Sequence, residues 1–342
     1  MRKVFLTIVP LLFTAQACNF LFGELGGEQG SGSRGVFMST DGGQTWEERN
    51  TIGKDKDLAG AQISRIIFAP SDPKSLLAVS FNSGVFATNT GGEQWFSLLP
   101  SFAGYDAFIN PQKPAEVFVA GSREQVATIL KTGDSGSTWV QIYAEPVGRA
   151  AVVALAYDPR NPLVFYAGLS TGTILKTLDA GNTWNTLVNF SDRLMKILLS
   201  DDGQEIYVLS RAQGLRRSPD GGKSWTSLKI PETPGQYNDF VLQTGNAATA
   251  YLATDKGLFK TQDGGTTWVK LLLPATPQVN NVSAVAINPQ NSRQVFAAIR
   301  STVYRSDDSG ASWRTQSLAT NRVMSQIVVN PAEPNRIYAG LR

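Results

Sequence analysis

The chain has 342 residues and no histidine, which excludes imidazole as a metal ligand, a general base or a member of a catalytic triad. Its one cysteine cannot form an internal disulfide and leaves no thiolate set for a zinc ion. Lysine and arginine number 31 against 28 aspartates and glutamates, a net charge of +3. Because Arg2 and Lys3 lie in a predicted leader peptide, the remaining charge is too nearly balanced to predict nucleic-acid binding.

Residues 1–17 have the pattern of a secretory signal peptide. Two basic residues come first, an apolar run over 4–13 follows, and small residues precede Cys18. The apolar run is too short to span a bilayer. Residues 15–18 resemble a bacterial lipobox, so we expect cleavage before Cys18 and a lipid attached to it. Ordinary cleavage after Ala17 is the alternative.

Residues 18–34 are rich in glycine and serine, a composition that cannot bury a core and that is typical of a flexible tether. Several acyl chains on Cys18 would hold such a tether to a membrane better than one chain. We therefore predict a lipoprotein of the bacterial cell envelope that faces the periplasm or the exterior. The folded body is predicted to span residues 35–342.

The body contains seven copies of an octapeptide with the pattern Ser/Thr-x-Asp-x-Gly-x-Ser/Thr-Trp. The last position holds every tryptophan of the chain, and (313 − 46)/6 gives about 44 residues per unit, a period that indicates a repeat architecture. Asp and Ser/Thr side chains can bond the backbone of a tight turn, glycine supplies positive φ, and the indole ring packs into a core. Because aspartate occurs in six copies and Thr90 replaces it in the seventh, we interpret these aspartates as architectural rather than catalytic. The pattern residues are Asp41, Trp46, Trp95, Asp134, Trp139, Asp179, Trp184, Asp220, Trp225, Asp263, Trp268, Asp308 and Trp313.

These octapeptides resemble the Asp box, or bacterial neuraminidase repeat. That repeat occurs in sialidases, xyloglucan-degrading glycosidases, sortilin-type receptors and the photosystem II assembly factor, and the resemblance covers nearly the whole chain. It implies a β-propeller in which each box is a turn between the two outer strands of a blade, away from the ligand face. The Arg-Ile-Pro sequence typical of sialidases is absent from the chain.

The segments between the boxes are typical of four short strands per unit, as in a propeller blade. Inner strands such as 153–159 end at an Asp-Pro or Asn-Pro turn, and no segment shows helical period and capping. The C-terminal residues supply an inner and a second strand, whereas 35–49 supplies only two outer strands. We therefore predict an all-β, seven-bladed propeller whose ring is closed by one blade shared between the two ends, which leaves no free sheet edge.

Inner strands line the central channel of a propeller, and one position of each strand is expected on the channel wall from the alternation of strand side chains. These positions carry mixed charges. Neutralising pairs around a wet channel are one interpretation, and contact with a ligand or partner is the other. The positions are Arg65, Asp106, Ala154, Lys196, Asp239, Ala284 and Gln326.

Two functions stay open. The first is a non-catalytic, membrane-tethered scaffold that binds a protein or glycan through its loop face, as a monomer without cofactor or metal. Very short connections such as 82–83 and 170–171 favour it. A substrate pocket must bury most of its ligand, and glycosidase propellers build their clefts from long insertions. Only 50–61, 231–237 and 274–281 are long, and the charges of the first link are expected to form a solvated loop.

The second function is a glycoside hydrolase of the xyloglucanase-like type, acting on a β-glucan through paired carboxylates. Segments 158–168 and 330–340 resemble the repeats of xyloglucanases and sortilins, whereas the blade number, length and lipid anchor resemble the photosystem II assembly factor. Known xyloglucanases of this type pair two propellers around a cleft, and this chain has one. No residue is assigned a catalytic role.

Overall fold

The computed structural model describes residues 32–54, 56–70, 72–145, 150–275 and 280–342. The predicted signal peptide, the lipid site Cys18 and the tether up to residue 31 lie outside the described residues. Within the described ranges every regular element is a β-strand, and 28 strands form seven four-stranded antiparallel sheets. No helix of the described residues could span a membrane.

The first three complete blades follow one plan. Each has an inner strand, two middle strands and an outer strand, and each middle strand is buried along most of its length because neighbouring blades cover both of its faces. Outer strands are less buried, and most of their residues are exposed or half-buried. After β1 (Gly35–Ser39) and β2 (Glu47–Glu48), blade 1 contains β3 (Ile63–Ala69), β4 (Asp72–Ser80), β5 (Gly84–Thr88) and β6 (Phe96–Leu99); blade 2 contains β7 (Ala103–Ile109), β8 (Val117–Arg123), β9 (Val126–Thr132) and β10 (Val140–Ala144); blade 3 contains β11 (Val152–Asp158), β12 (Asn161–Leu169), β13 (Thr173–Thr177) and β14 (Asn185–Asn189).

The next three blades repeat this plan, and the two last strands of the chain join the two first. The predicted all-β fold with seven four-stranded blades is confirmed. Blade 4 contains β15 (Leu194–Leu199), β16 (Ile206–Ser210), β17 (Gly214–Ser218) and β18 (Thr226–Ser227); blade 5 contains β19 (Tyr237–Gln243), β20 (Asn246–Thr254), β21 (Gly257–Thr261) and β22 (Val269–Leu271); blade 6 contains β23 (Ala284–Asn288), β24 (Asn291–Ile299), β25 (Thr302–Ser306) and β26 (Arg314–Ser317); β27 is Met324–Val329 and β28 is Ile337–Leu341.

The seventh blade has the strand order β2-β1-β28-β27. Its central pairing is antiparallel and runs from Gly35 opposite Leu341 to Ser39 opposite Ile337. The backbone N–H groups of β1 and the carbonyls of β28 therefore satisfy one another, and neither middle strand is left with an unpaired edge. Both ends of the described body are needed to build this blade.

The hydrophobic core lies between blades. Between the seventh blade and blade 1, Val36 and Tyr338 pack with Ile63, Ile66 and Trp95. An equivalent cluster lies between each of several other neighbouring pairs of blades. Fully burying one such side chain contributes about 1.5–3 kcal/mol, so every blade depends on both of its neighbours for stability.

The antiparallel order gives the propeller two different faces. The face that we name the box face carries the Asp boxes and the turns between the first and second strands. The opposite face, named the link face, carries the turns between the second and third strands and the links between blades. Residue 34, just before β1, and Arg342, just after β28, also lie on the link face.

In five of the seven boxes, a glycine accommodates an aliphatic side chain of the preceding blade. Gly222 has φ 96°, and a Cβ added to it would lie 2.6 Å from Leu187 Cδ2 of blade 3. The same close approach joins Gly136 to Leu98 and Gly265 to Leu228. This glycine is therefore required by its backbone conformation and by an aliphatic side chain that inserts from the neighbouring outer strand.

Candidate functional site

Each Asp box is held by its own aspartate and hydroxyls. In blade 2, Asp134 Oδ1 accepts the Thr138 N–H at 2.8 Å and the Thr132 hydroxyl at 2.7 Å, while Asp134 Oδ2 accepts the Thr138 hydroxyl at 2.7 Å. The Gly136 N–H donates to Thr132 Oγ1 at 2.9 Å. The Thr138 hydrogen bonds lower the pKa of Asp134 to about 2, so this carboxylate is ionised and fully occupied by donors.

The same bonding recurs in the other five aspartate boxes, which supports the architectural interpretation of these residues. In each, Oδ1 accepts a backbone N–H four residues later and Oδ2 accepts the hydroxyl of that same residue. A carboxylate saturated in this way is a poor general acid or base. These aspartates are Asp41, Asp179, Asp220, Asp263 and Asp308.

The blade 1 box keeps the turn without a carboxylate. Thr90 Oγ1 accepts the Gln94 N–H at 3.0 Å, and Thr88 Oγ1 accepts the Gly92 N–H at 3.1 Å. Thr90 replaces the aspartate and Gln94 replaces the Ser or Thr of the other boxes, so this box retains the backbone bond and has no bond between a carboxylate and a side-chain hydroxyl. The turn therefore tolerates loss of the charge.

The box tryptophans lie against the blade interfaces, but only Trp95 and Trp268 are buried; the other five are half-buried. The rings of Trp46, Trp139, Trp184 and Trp313 pack against hydrophobic clusters, as predicted, and they stay half-buried because the box is at the rim of the blade. Trp268 donates its indole N–H to Gly265 of its own box, whereas Trp95 donates to Arg49 and Trp184 to Ile142 of the preceding blade.

The predicted channel residues come together as ion pairs between neighbouring blades. Arg65 Nε lies 3.4 Å from Asp106 Oδ1, and Lys196 Nζ lies 2.7 Å from Asp239 Oδ1. Burial raises the pKa of Asp106, against the opposing charge of Arg65. Burial likewise lowers the pKa of Lys196, against the opposing charge of Asp239. The geometry matches the interpretation of neutralising pairs.

We name the seven channel positions Arg65, Asp106, Ala154, Lys196, Asp239, Ala284 and Gln326 the channel belt. The acceptors of this channel belt also bind the next blade through its backbone. Gln326 Oε1 accepts the Ile66 N–H at 2.6 Å, and Asp106 Oδ2 accepts the Leu155 N–H at 2.9 Å. Asp239 Oδ2 accepts the Val285 N–H at 3.1 Å. A ligand contact through these side chains stays a prediction, since each acceptor named here already has a protein partner.

Backbone geometry explains why these positions reach across. In six of the seven inner strands the pairing register shifts immediately before the belt residue, as at Gly104/Asp106 and Tyr237/Asp239. A β-bulge of this kind re-aims a side chain and frees backbone groups from the ladder. Ala154 and Ala284 have no polar side chain, so the belt is interrupted after blade 3 and after blade 6.

A group of arginines at the link-face end of the channel was not predicted from the sequence. Arg193 of blade 4 donates a side-chain hydrogen bond to Tyr105 of blade 2, a contact that must cross the channel mouth because these blades are not neighbours. Burial lowers the pKa of Arg342, and the charge of Arg211 lowers it further. Arg211 donates its backbone N–H to the Arg193 carbonyl at 2.9 Å, and its charge acts on both Arg193 and Arg342. We name Arg193, Arg211 and Arg342 the arginine mouth.

Arginine is abundant elsewhere on the link face as well. The acidic side chains of this face include Asp192, whose Oδ2 accepts the N–H groups of Ala212 and Gln213, and Glu232, which pairs with Lys270. No Asp or Glu of the described residues forms an ion pair with Arg342. The arginines of this face are Arg34, Arg123, Arg193, Arg211, Arg300, Arg322 and Arg342.

The described residues contain no group of three or more Asp, Glu or Cys side chains placed to hold a metal ion. The strands, the boxes and the ring together define the class: the chain is an Asp-box repeat β-propeller. A family model described as photosynthesis system II assembly factor YCF48 matches residues 151–286. A search of curated protein sequences finds no match.

Solved structures with the same fold include members of two groups of proteins. The xyloglucanase of glycoside hydrolase family 74 from Xanthomonas campestris is 16% identical with a TM-score of 0.70, covering 82% of this chain and 51% of its own. YCF48 from Cyanidioschyzon merolae is 18% identical with a TM-score of 0.63, covering 82% of this chain and 95% of its own. A structure of YCF48 bound to D1 peptide is 17% identical with a TM-score of 0.62, covering 82% and 92%. The chain spans about half the length of the xyloglucanase.

Proposed function

We propose that this protein is a non-catalytic scaffold that holds a protein partner on its link face, at the arginine mouth. The observation that carries the proposal is the convergence of Arg193, Arg211 and Arg342 around the channel opening. Guanidinium groups stay charged even when partly buried, and their planar forks bind carboxylates through two parallel hydrogen bonds. The partner segment is therefore acidic, and the peptide held by the similar YCF48 propeller supports a peptide rather than a glycan.

We further propose that the scaffold is tethered to the outside of a bacterial membrane through a lipid on Cys18. Arg34 N–H donates to Ala59, and the Arg322 side chain donates to the Gly32 carbonyl at 3.2 Å. These bonds fix the last residues of the predicted tether on the link face. Because residues 32–34 lie on the same face as the arginine mouth, we propose that this face is turned toward the membrane.

The alternative is a β-glucan hydrolase, and the likeness to the xyloglucanase fold keeps it open. Paired carboxylates would have to act as acid and base. The best-buried candidates, Asp106 and Asp239, each accept backbone N–H groups and pair with a cation. That bonding favours a structural role for both, so we place the scaffold first.

The test is affinity capture from native membranes with the full chain and two charge-reversal variants. Arg211→Glu should abolish capture of the partner that the parent recovers, whereas Arg293→Glu, an exposed arginine of the box face, should leave capture unchanged. Raising the salt concentration should weaken capture by the parent. Equal capture by parent and Arg211→Glu would contradict the arginine mouth, and turnover of a β-glucan panel would establish the hydrolase.

The anchor is tested separately. Cys18→Ala should release the protein from membranes or leave an uncleaved precursor, since the lipid has no other attachment site. Retention of Cys18→Ala on membranes equal to that of the parent, after a salt wash, would contradict the lipid anchor without affecting the arginine mouth.

A further inference from the structure

A second concavity lies at the opposite end of the channel, on the box face between blades 4 and 5. It encloses about 220 Å³ and is lined by the ends of β15 and β19. Its cause is a difference in turn length. The turn after β15 spans 200–205, whereas the turn after β19 is only 244–245. The turn of blade 4 is therefore longer than the adjacent turn of blade 5.

Four aliphatic residues line the walls of this pocket, together with the polar Ser200, Gln243 and Thr244. Leu198 and Leu199 come from blade 4, and Val241 and Leu242 come from blade 5; all four are half-buried. The floor is the end of Lys196, whose Nζ is held by Asp239 at 2.7 Å. Four aliphatic side chains in one concavity suit an aliphatic group.

The rim of the pocket is acidic. Asp201 Oδ2 accepts the Gly245 N–H at 2.5 Å and so connects the two walls. Asp202 Oδ1 accepts the Ser200 hydroxyl at 2.5 Å, and that hydrogen bond lowers the pKa of Asp202. The nearby cation Arg160 lies 3.9 Å from Asp158. Asp158 offsets Arg160 and Asp239 offsets Lys196, so Asp201 of the lining and its neighbour Asp202 in the same turn leave a net negative charge at the rim.

We propose that this pocket binds an aliphatic side chain of a cationic peptide, with a lysine or arginine next to the aliphatic residue. The aliphatic residues of the walls take the aliphatic group, and Asp201 and Asp202 take the flanking positive charge. Charge complementarity selects this occupant over an acidic segment, which the rim repels. The site is at the other end of the channel from the arginine mouth and does not depend on it, so one scaffold can hold two partners of opposite charge.

The experiment measures the fluorescence anisotropy of a labelled Gly-Lys-Leu-Lys-Gly peptide with the full chain. The peptides Gly-Glu-Leu-Glu-Gly and Gly-Lys-Ser-Lys-Gly test the charge and the aliphatic group, and each should bind at least tenfold more weakly. Leu242→Lys should weaken binding of the first peptide at least tenfold. The matched control is Ile287→Lys, at the equivalent half-buried position of blade 6, which should bind like the parent.

Two further variants keep the proposal testable if Leu242→Lys folds poorly. Ala247→Phe fills the pocket from its rim and should also abolish binding. Asp201→Asn with Asp202→Asn should weaken binding about tenfold and remove most of its salt dependence. Absence of saturable binding to the parent, equal affinity for the glutamate peptide, or equal binding by the parent and Ala247→Phe would each overturn the proposal. None of these variants alters the arginine mouth, so a negative result for this pocket would not contradict the proposed function of the arginine mouth.

Discussion

The Asp boxes and the channel belt use the same chemistry in opposite settings. Asp134 in a box and Asp239 in the belt each accept backbone N–H groups through a carboxylate. The partners of Asp134 lie within four residues and its side chain is exposed, whereas Asp239 binds a residue 46 positions away and is 5% exposed. The box aspartates therefore order the turn of their own blade, and the belt acceptors tie one blade to the next.

The largest expected effect comes from breaking the ring itself. Deleting 324–342 removes two strands of the seventh blade and opens two interfaces between blades, so the entire body should lose cooperative folding rather than one end of it. A domain is stable by only about 5–15 kcal/mol, less than two exposed interfaces remove. Circular dichroism melting is the measurement, and deletion of 23–30 in the tether is the control. Melting of the truncated chain as high as the parent would refute ring closure.

The second largest loss of stability is expected from a substitution in the channel belt. Asp239→Ala leaves Lys196 as a buried charge without its partner and leaves the Val285 N–H without its acceptor. Breaking a buried pair in this way costs about 3–5 kcal/mol, measured by urea unfolding. Asp239→Asn retains an acceptor oxygen and should lose less.

The loss in Asp239→Ala should depend on pH in a defined direction. Burial already lowers the pKa of Lys196, and without Asp239 the lysine must lose its proton to fold. The unfolded state then binds more protons than the folded state, so stability rises with pH. A deficit that stays constant from pH 7 to pH 10 would show that Lys196 and Asp239 are not coupled.

Substitution of a box glycine that faces an inserted leucine of the preceding blade should have an intermediate effect on stability. Gly222→Ala introduces a methyl against Leu187 at positive φ and should cost about 2–4 kcal/mol from strain and overpacking. Gly221 in the same box has φ 70° and nothing within 4 Å of an added Cβ, so Gly221→Ala should cost only about 1–2 kcal/mol. Equal melting temperatures of the two variants would contradict the inserted leucine.

Substitutions of the box aspartates should have the smallest effects on stability, and these effects should be equal to one another. Asp134→Ala, Asp220→Ala and Asp263→Ala should each lower the melting temperature by about 1–4 °C, because each loses the same turn bonds at an exposed site. Partner capture should follow the folded fraction alone. If one of the three abolished activity in a fully folded protein while the others did not, the architectural interpretation would be wrong.

The box aspartates should also make the melting temperature of the parent depend on pH under acid conditions. Hydrogen bonds lower the pKa of Asp134 and Asp263 from 3.8 to about 2. A depressed carboxyl pKa contributes stability above the unfolded value, and that stability is lost as the pH falls from about 4 toward 2. The parent should therefore lose melting temperature across this window more steeply than Asp134→Asn, and parallel curves would contradict the assignment.

The sequence by itself determined the blades. The spacing of Trp46 to Trp313 fixes the period, and each box closes through bonds within four residues, so its turn can be read from one octapeptide. The alternation of inner strands also placed Arg65, Asp106, Lys196, Asp239 and Gln326 at equivalent positions. Local hydrogen bonding and strand period suffice for such features.

Only the tertiary structure decided which of those residues pair and which face can bind. Asp106 bonds Leu155 because a β-bulge turns it toward the next blade, and a single-strand pattern contains no sign of that bulge. Arg211 and Arg342 each directly follow the second strand of their blade, as Arg300 does in blade 6, but the repeat position alone does not show that they meet Arg193 at the channel. They meet because ring closure brings blades 4 and 7 to opposite sides of one narrow channel, where long side chains can reach across.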